Sequence, residues 1–331
     1  MTPAMTPAVR VARLSAIECF QRGVVSTAAN WELAAVLFLQ SLVVTVLAVA
    51  GLIIPLVALG VSLDPRAWES AILGASDLPL DRVEEVLDWL AEAWPMLVLG
   101  LIGTLAVWTV AFVAYSYFQA GVYGILYEAD RRAPMGGAAS RQQLRAFTLV
   151  SFQAWAGRRT WPFFWLTNLF GIYSLVPILI YVALGAAVAR TATTPAAVLG
   201  LGCIGLFLVA LPLCLVLLWF MTSQASLAEA KVSSVRQAAR LGWDVLMRRL
   251  GAVLLLVVIF IALSLVFSLV FIPLGLAVDL TAGDDLWVRG GAQFFLTLLQ
   301  TLPNALLAVA LAGALVALVR SETRISEGIA A

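Results

Sequence analysis

The 331-residue chain has no histidine, one lysine (Lys231), three cysteines and few charges. Asp, Glu, Lys and Arg together make up 12% of it, about half the share of an ordinary soluble domain. Each shortage excludes something. Without histidine there is no Ser-His-Asp triad and no imidazole ligand for zinc or haem, so no cofactor is expected. With a formal net charge of +1 there is no basic excess to neutralise phosphates, which removes nucleic acid as a partner. Cys203 and Cys214 fall in one predicted helix, about 16 Å apart along its axis, too far to bridge. Cys19 stands alone, and all three read as packing residues.

Hydrocarbon is what the chain has in excess. Apolar residues make up 63% of it, more than a soluble fold of this length can enclose. The bilayer is therefore its solvent. A helix crosses the ~30 Å hydrocarbon core with about 20 apolar residues, and charges mark where the chain leaves that core. Six windows carry no charge: 33–63, 93–127, 160–189, 191–228, 250–278 and 290–319. Each accommodates one helix and none accommodates two. The fourth opens on Thr191, Thr193, Thr194 and Pro195, which places its helix start near Ala196. The expected fold is an all-α integral membrane protein with six transmembrane helices.

Arginine sets the expected orientation. The segment before span one and those after spans two, four and six carry 3, 6, 5 and 2 basic residues, against 2, 1 and 1 in the alternate loops. The positive-inside rule then puts both termini in the cytoplasm of a bacterial inner membrane. Trp31, Trp94, Trp161, Trp165 and Trp219 fall near span ends, where indole favours the headgroup zone, and Trp108 alone sits well inside a span. No signal peptide is expected. Residues 1–9, which open on MTPAMTPA, read as a disordered tail, leaving 10–331 as a single transmembrane domain.

The odd spans share a late proline: Pro55, Pro177 and Pro273. An amphipathic stretch precedes each of them. Val11, Leu14, Ile17, Cys19, Phe20 and Val24 make the first stripe; Leu144, Phe147, Ser151 and Trp155 the second; Val232, Val235, Ala239 and Trp243 the third. The second and third end in Arg158-Arg159 and Arg248-Arg249. Gln119-Ala120-Gly121 and Gln224-Ala225-Ser226 mark the inner ends of spans two and four. These echoes predict three tandem units, each an interfacial helix plus a two-span hairpin, at about 10–130, 131–225 and 226–331. A pseudo-threefold bundle would follow, with its axis as the natural locus for a site.

The order of interfacial helix, Asn30-Trp31, hairpin, Gly121-Val122-Tyr123-Gly124 and Arg158-Arg159-Thr160-Trp161 resembles a broad group of prokaryotic six-span proteins. Some of these are known as the membrane domain of glycerophosphodiester phosphodiesterases. In that family the hydrolytic domain is a separate soluble module, and no residues remain here to build one. The resemblance therefore implies a membrane module and no phosphodiesterase activity.

Three sets of residues are candidates for function. Gln293, Thr297, Gln300, Thr301 and Asn304 share one face of span six, with Pro303 inside the stripe. Amides are costly in hydrocarbon without partners, so this face should point into the bundle. It either lines a polar pathway or holds helices together by hydrogen bonds. Ser116, Gln119 and Tyr123, with Tyr115, offer a similar face in span two, and Thr167, Asn168 and Ser174, with Tyr181, in span three. Pro55, Pro177, Pro212, Pro273 and Pro303 read either as hinges or as prolines that neighbouring helices accommodate. Ala196, Ala197, Gly200 and Gly205 in span four, and Ala305, Ala308, Ala312 and Gly313 in span six, read as close-packing residues.

Beyond the spans, Asp81-Arg82-Val83-Glu84 reads as a capping box opening a surface helix to Trp94, with Pro95 starting span two. Its carboxylates Asp81, Glu85, Asp88 and Glu92 read as a solvated face. Arg131, Arg132, Arg141, Arg145, Arg158 and Arg159, with Lys231, Arg236, Arg240, Arg248 and Arg249, form a basic collar. The collar marks topology, and Arg158, Arg159, Arg248 and Arg249 are the candidate contacts for anionic lipid or a membrane protein partner. No charge lies within any charge-free window, which disfavours proton coupling or voltage sensing. The expected function is a non-enzymatic accessory or scaffold protein acting with lipid or a membrane partner. The alternative is a transporter or channel for a neutral or lipid-like solute.

Overall fold

Eight α-helices and no strands form among the residues that the computed structural model describes, 13–62, 81–134, 139–191, 195–281 and 286–330. In chain order they are α1 (Ala16–Ala29), α2 (Glu32–Ser62), α3 (Asp81–Arg132), α4 (Leu149–Thr191), α5 (Pro195–Leu227), α6 (Val235–Arg248), α7 (Leu250–Thr281) and α8 (Leu286–Ala330). All but α1 and α6 are long and apolar enough to cross a membrane, so the chain is an all-α, six-span membrane protein. The tail at 1–9 lies outside the described residues, as do the side chains of 81–93.

Local chemistry sets the helix starts. Ser15 and Glu18 close a reciprocal capping box on α1, and the bonds from Ser15 hold the Glu18 carboxyl below its ordinary value. Ser234 caps α6, and the Thr148 hydroxyl accepts from the Ser151 backbone N–H at 3.1 Å as α4 begins. The five span prolines all lie inside helices that continue past them. Pro95 does so too: α3 is one helix of 52 residues, where a surface helix ending at Trp94 was expected. Proline removes one N–H but keeps a helical φ, so the helix persists when both flanks supply enough bonds.

Leu14, Cys19, Leu144 and Val232 of the amphipathic stripes are buried, and the rest of the stripes differ from expectation in part. On α1 the buried residues are Cys19, Arg22, Gly23, Ser26, Thr27 and Ala29, whereas Ile17 and Val24 are exposed. On α6 they are Ala238, Gly242, Val245 and Leu246, while Trp243 faces outward. Leu144 and Phe147 precede α4 in a non-helical segment, and α4 runs from its amphipathic start into span three without a break. The inward face of α1 is small or polar, while that of α6 sets Ala238 and Gly242 beside Val245 and Leu246; hydrocarbon outside the protein accepts the remaining large apolar side chains at no cost.

The chain divides into two compact units. The smaller, Leu39–Tyr115, holds parts of α2 and α3. There Trp108 packs on Gly51, leaving no room for a β-carbon, and the Thr104 hydroxyl donates to the Gly51 carbonyl at 2.9 Å. The larger contains Met1–Phe38 and Ser116–Ala331. Its central member is α8, whose spanning window is 61% buried against 17% for α7.

In the larger unit each amphipathic stretch lies on an even-numbered span. The start of α4 packs on α3, with Phe152 against Gly121 and Trp155 against Gly124. Helix α6 packs on α5: Gly242 abuts the Ser223 backbone, and the Thr222 hydroxyl donates to the Gly242 carbonyl at 3.0 Å. Helix α1 packs on α8, the far end of the sequence. A β-carbon on Gly23 would overlap the Ala310 carbonyl and stand 2.8 Å from the Ala314 nitrogen, with Gly313 facing it. Small residues at these crossings let backbones meet.

Candidate functional site

Among the described residues, a dense polar construction lies where α1, the ends of α3, α5 and α8, and the starts of α4 and α7 come together in the larger unit. Asp130 at the end of α3 is buried between two guanidinium groups. Arg22 of α1 reaches its Oδ1 at 3.1 Å, and Arg320 of α8 pairs with its Oδ2. Both arginines are also buried, at 4% and 3% exposure. Arg22 donates further to the Pro134 carbonyl, and Arg320 to the Asp130 and Arg131 carbonyls. Buried charge is tolerated only when paired and fully hydrogen-bonded, and this cluster meets that condition.

A second buried carboxylate, Glu322, stands 3.6 Å from Arg249 and 3.7 Å from Arg13. Cys19 is enclosed beside these groups, and burial pushes its thiol up to about 12. It is held as an unreactive thiol.

Around the charges run three clasps of one kind. Asn30, which ends α1, donates to the Leu144 carbonyl at 2.8 Å and accepts from the Ala146 and Phe147 N–H groups at 2.8 Å each. Beside it Arg145 donates to Glu32 and to the Ala29 carbonyl, and the Glu32 bond raises the guanidinium further above its ordinary value. Arg159 of α4 donates to the Val232 carbonyl, in the chain leading into α6. Arg249, which ends α6, donates to the Leu14 carbonyl, in the chain leading into α1. Each amphipathic stretch thus grips the chain entering the next, and the third returns to the first.

The four arginines singled out in the sequence divide accordingly. Arg158 and Arg248 are exposed; Arg159 and Arg249 are half-buried and turned to backbone carbonyls. Among the polar residues of span six, the Gln300 amide lies 3.3 Å from the Ser268 hydroxyl and the Asn304 amide oxygen 3.3 Å from that of Ser264, both on α7. Thr297 and Thr301 return their hydroxyls to carbonyls one turn back on α8. Gln293 is half-buried and Asn304 exposed.

In span two Ser116 and Tyr123 are buried and Gln119 half-buried. The Tyr123 hydroxyl donates to Gln224 Oε1 at 3.2 Å and its ring meets Phe163 at 5.8 Å. Thr167 and Asn168 bond the Phe163 and Phe164 carbonyls of their own helix, and the buried Ser174 hydroxyl has no hydrogen-bond partner. The structure thus joins Gln300 and Asn304 to α7 and Tyr123 to α5.

Arg22, Asp130, Arg320 and Glu322 are functional-site candidates that sequence reasoning passed over. Asp130, Arg320 and Glu322 lie just past the ends of charge-free windows and Arg22 in the segment before the first, where arginine is read as a topology mark. One signal was present: neither Asp130 nor Arg320 is separated from its apolar run by a glycine, proline or turn residue, so the helix carries each charge inward. Among the described residues no group of three or more Cys, Asp or Glu side chains forms a metal site. No family model, curated protein or solved structure matches this chain.

Proposed function

We propose that the protein is a non-enzymatic accessory or scaffold protein of a bacterial cytoplasmic membrane, with both termini inside, acting with anionic lipid or a membrane protein partner. The observation that carries this reading is the division of its arginines. Arg22, Arg320, Arg159 and Arg249 are engaged within the protein, whereas Arg158 and Arg248 present exposed charge at the rim of the same layer. Rim arginines beside a bilayer attract anionic headgroups by about 1 kcal/mol each. The bonds of Gln300 and Asn304 to α7 support a packing role for the span-six amides over a solute pathway.

The three-unit organisation at 10–130, 131–225 and 226–331 belongs to the same proposal. It is supported by the clasps of Asn30, Arg159 and Arg249, each directed to the opening residues of another amphipathic stretch. It is also supported by the seating of α1 on α8, which gives the first amphipathic helix the same kind of partner, an even-numbered span, as the other two stretches have. The resemblance to six-span membrane modules that accompany glycerophosphodiester phosphodiesterases favours a module that works beside another protein.

The test is to purify wild type and the Arg158→Gln/Arg248→Gln variant from native membranes and quantify what co-purifies by mass spectrometry. Retained anionic lipid or a specific protein partner should fall severalfold in the variant with the melting temperature unchanged. Equal retention in both would overturn the reading.

A further inference from the structure

A groove between α4, α5 and α6, away from the buried charge cluster, has a charged mouth and an apolar floor. The mouth is a cavity of ≈ 720 Å³ whose α6 wall carries Arg236, Arg240 and Asp244. These stand at i, i+4 and i+8, so they share one helix face, and all three are exposed. The ion pairs found among the described residues involve neither Arg236 nor Arg240.

Below the mouth lies a second cavity of ≈ 330 Å³ with no charged residue, walled by Pro212, Leu215 and Val216 of α5. Tyr173, Trp219 and Trp243 line both cavities, which makes them one continuous groove. The aromatic wall is built: the Trp219 indole N–H donates to the Ala239 carbonyl at 3.0 Å, and the Tyr173 ring meets it edge-on at 5.5 Å. From Trp219 to Pro212 the floor descends about 10 Å along α5.

We propose that this groove holds one anionic glycerophospholipid, its phosphodiester against Arg236 and Arg240 and an acyl chain along Trp219, Leu215 and Pro212. Three features select that occupant. The two guanidinium groups and one carboxylate leave a local charge of one positive unit, complementary to a phosphodiester monoanion. Asp244 accepts hydrogen bonds from headgroup hydroxyls, as a phosphatidylglycerol headgroup supplies. The uncharged floor would stay unfilled under a soluble anion, whereas an acyl chain covers it. Aromatic side chains flanking the junction of charge and hydrocarbon suit the depth at which a headgroup meets its chains.

The inference deepens the lipid-dependent reading above and rests on it for the membrane setting alone. Delipidated full-length protein in detergent is titrated with phosphatidylglycerol, phosphatidylcholine or glycerol 3-phosphate, and bound molecules are counted by native mass spectrometry. Wild type should bind a first phosphatidylglycerol in clear preference to phosphatidylcholine. Arg236→Gln/Arg240→Gln should weaken that first site about 30-fold, from two headgroup attractions. Val216→Trp, which fills the floor and leaves the arginines in place, should weaken it as well, with an unchanged melting temperature showing that it folds.

A first site within about twofold of wild type in both variants would overturn the assignment. Equal binding of phosphatidylcholine, or competition by glycerol 3-phosphate as strong as by the lipid, would overturn it too. The two proposals fail separately. If only Arg158→Gln/Arg248→Gln lowers lipid retention, the groove is refuted and the accessory role stands; if only the groove variants do, the reverse holds.

Discussion

Within the larger unit, two regions made from the same helices are held together by different means. In the charged layer Leu144, Leu246, Leu256, Leu315 and Leu318 are fully buried around the Asp130 cluster and the three clasps. Farther along the helices, Leu265, Val266, Leu269 and Val270 of α7 and Phe294 and Phe295 of α8 are exposed. A soluble protein would show the opposite economy, with apolar residues inside and charges out. Where lipid surrounds the helices, burying leucine against leucine gains little, so polar bonds and small-residue crossings decide the packing. The layer gathers both.

Single substitutions sharpen that contrast. The largest effect is expected from Asp130→Asn, which leaves Arg22 and Arg320 buried without their counter-charge and should cost about 3–5 kcal/mol in reversible unfolding from mixed micelles. The triple replacement Arg22→Met/Asp130→Leu/Arg320→Met, which removes every charge of the trio, should recover most of that loss. A loss under about 1 kcal/mol for Asp130→Asn would show that the layer does not hold the fold.

Asn30→Ala is expected to follow. It strips partners from the Leu144 carbonyl and the Ala146 and Phe147 N–H groups, at about 1–3 kcal/mol, and should speed amide exchange at 146 and 147 ahead of the rest of the layer. Unchanged exchange there would refute the clasp.

Asn304→Leu in span six should have the smallest effect, about 0.6 kcal/mol, because it removes one interhelical bond to Ser264 in a lipid setting. A double-mutant cycle with Ser264→Ala isolates that bond. If Asn304→Leu costs as much as Asp130→Asn, the contrast between the regions is lost.

Much of the architecture was legible beforehand because it depends on composition and on the position of charges. Six charge-free windows became six helices; of the small residues assigned to close packing in span six, Gly313 faces Gly23, Ala305 and Ala312 are buried, and Ala308 is exposed. The amphipathic stripes were less legible. Ile17, Val24 and Trp243 are the residues a water-based rule sends inward, yet each is exposed. A moment calculated on hydrophobicity points toward the most apolar medium, and near a bilayer that medium is outside the protein. Arg159 and Arg249 were read as headgroup contacts with their neighbours Arg158 and Arg248, since adjacent identical residues carry no mark of which one turns inward.

Sequence by itself determined that this chain lives in hydrocarbon and where its six helices cross, because transfer free energy is a property of segments and needs no knowledge of neighbours. Only the tertiary structure decided that Asp130 lies between Arg22 and Arg320, that α1 closes on α8, and that Arg249 reaches back to Leu14. Those choices join residues more than a hundred positions apart, and pairing energies exist only once the partners have been brought together.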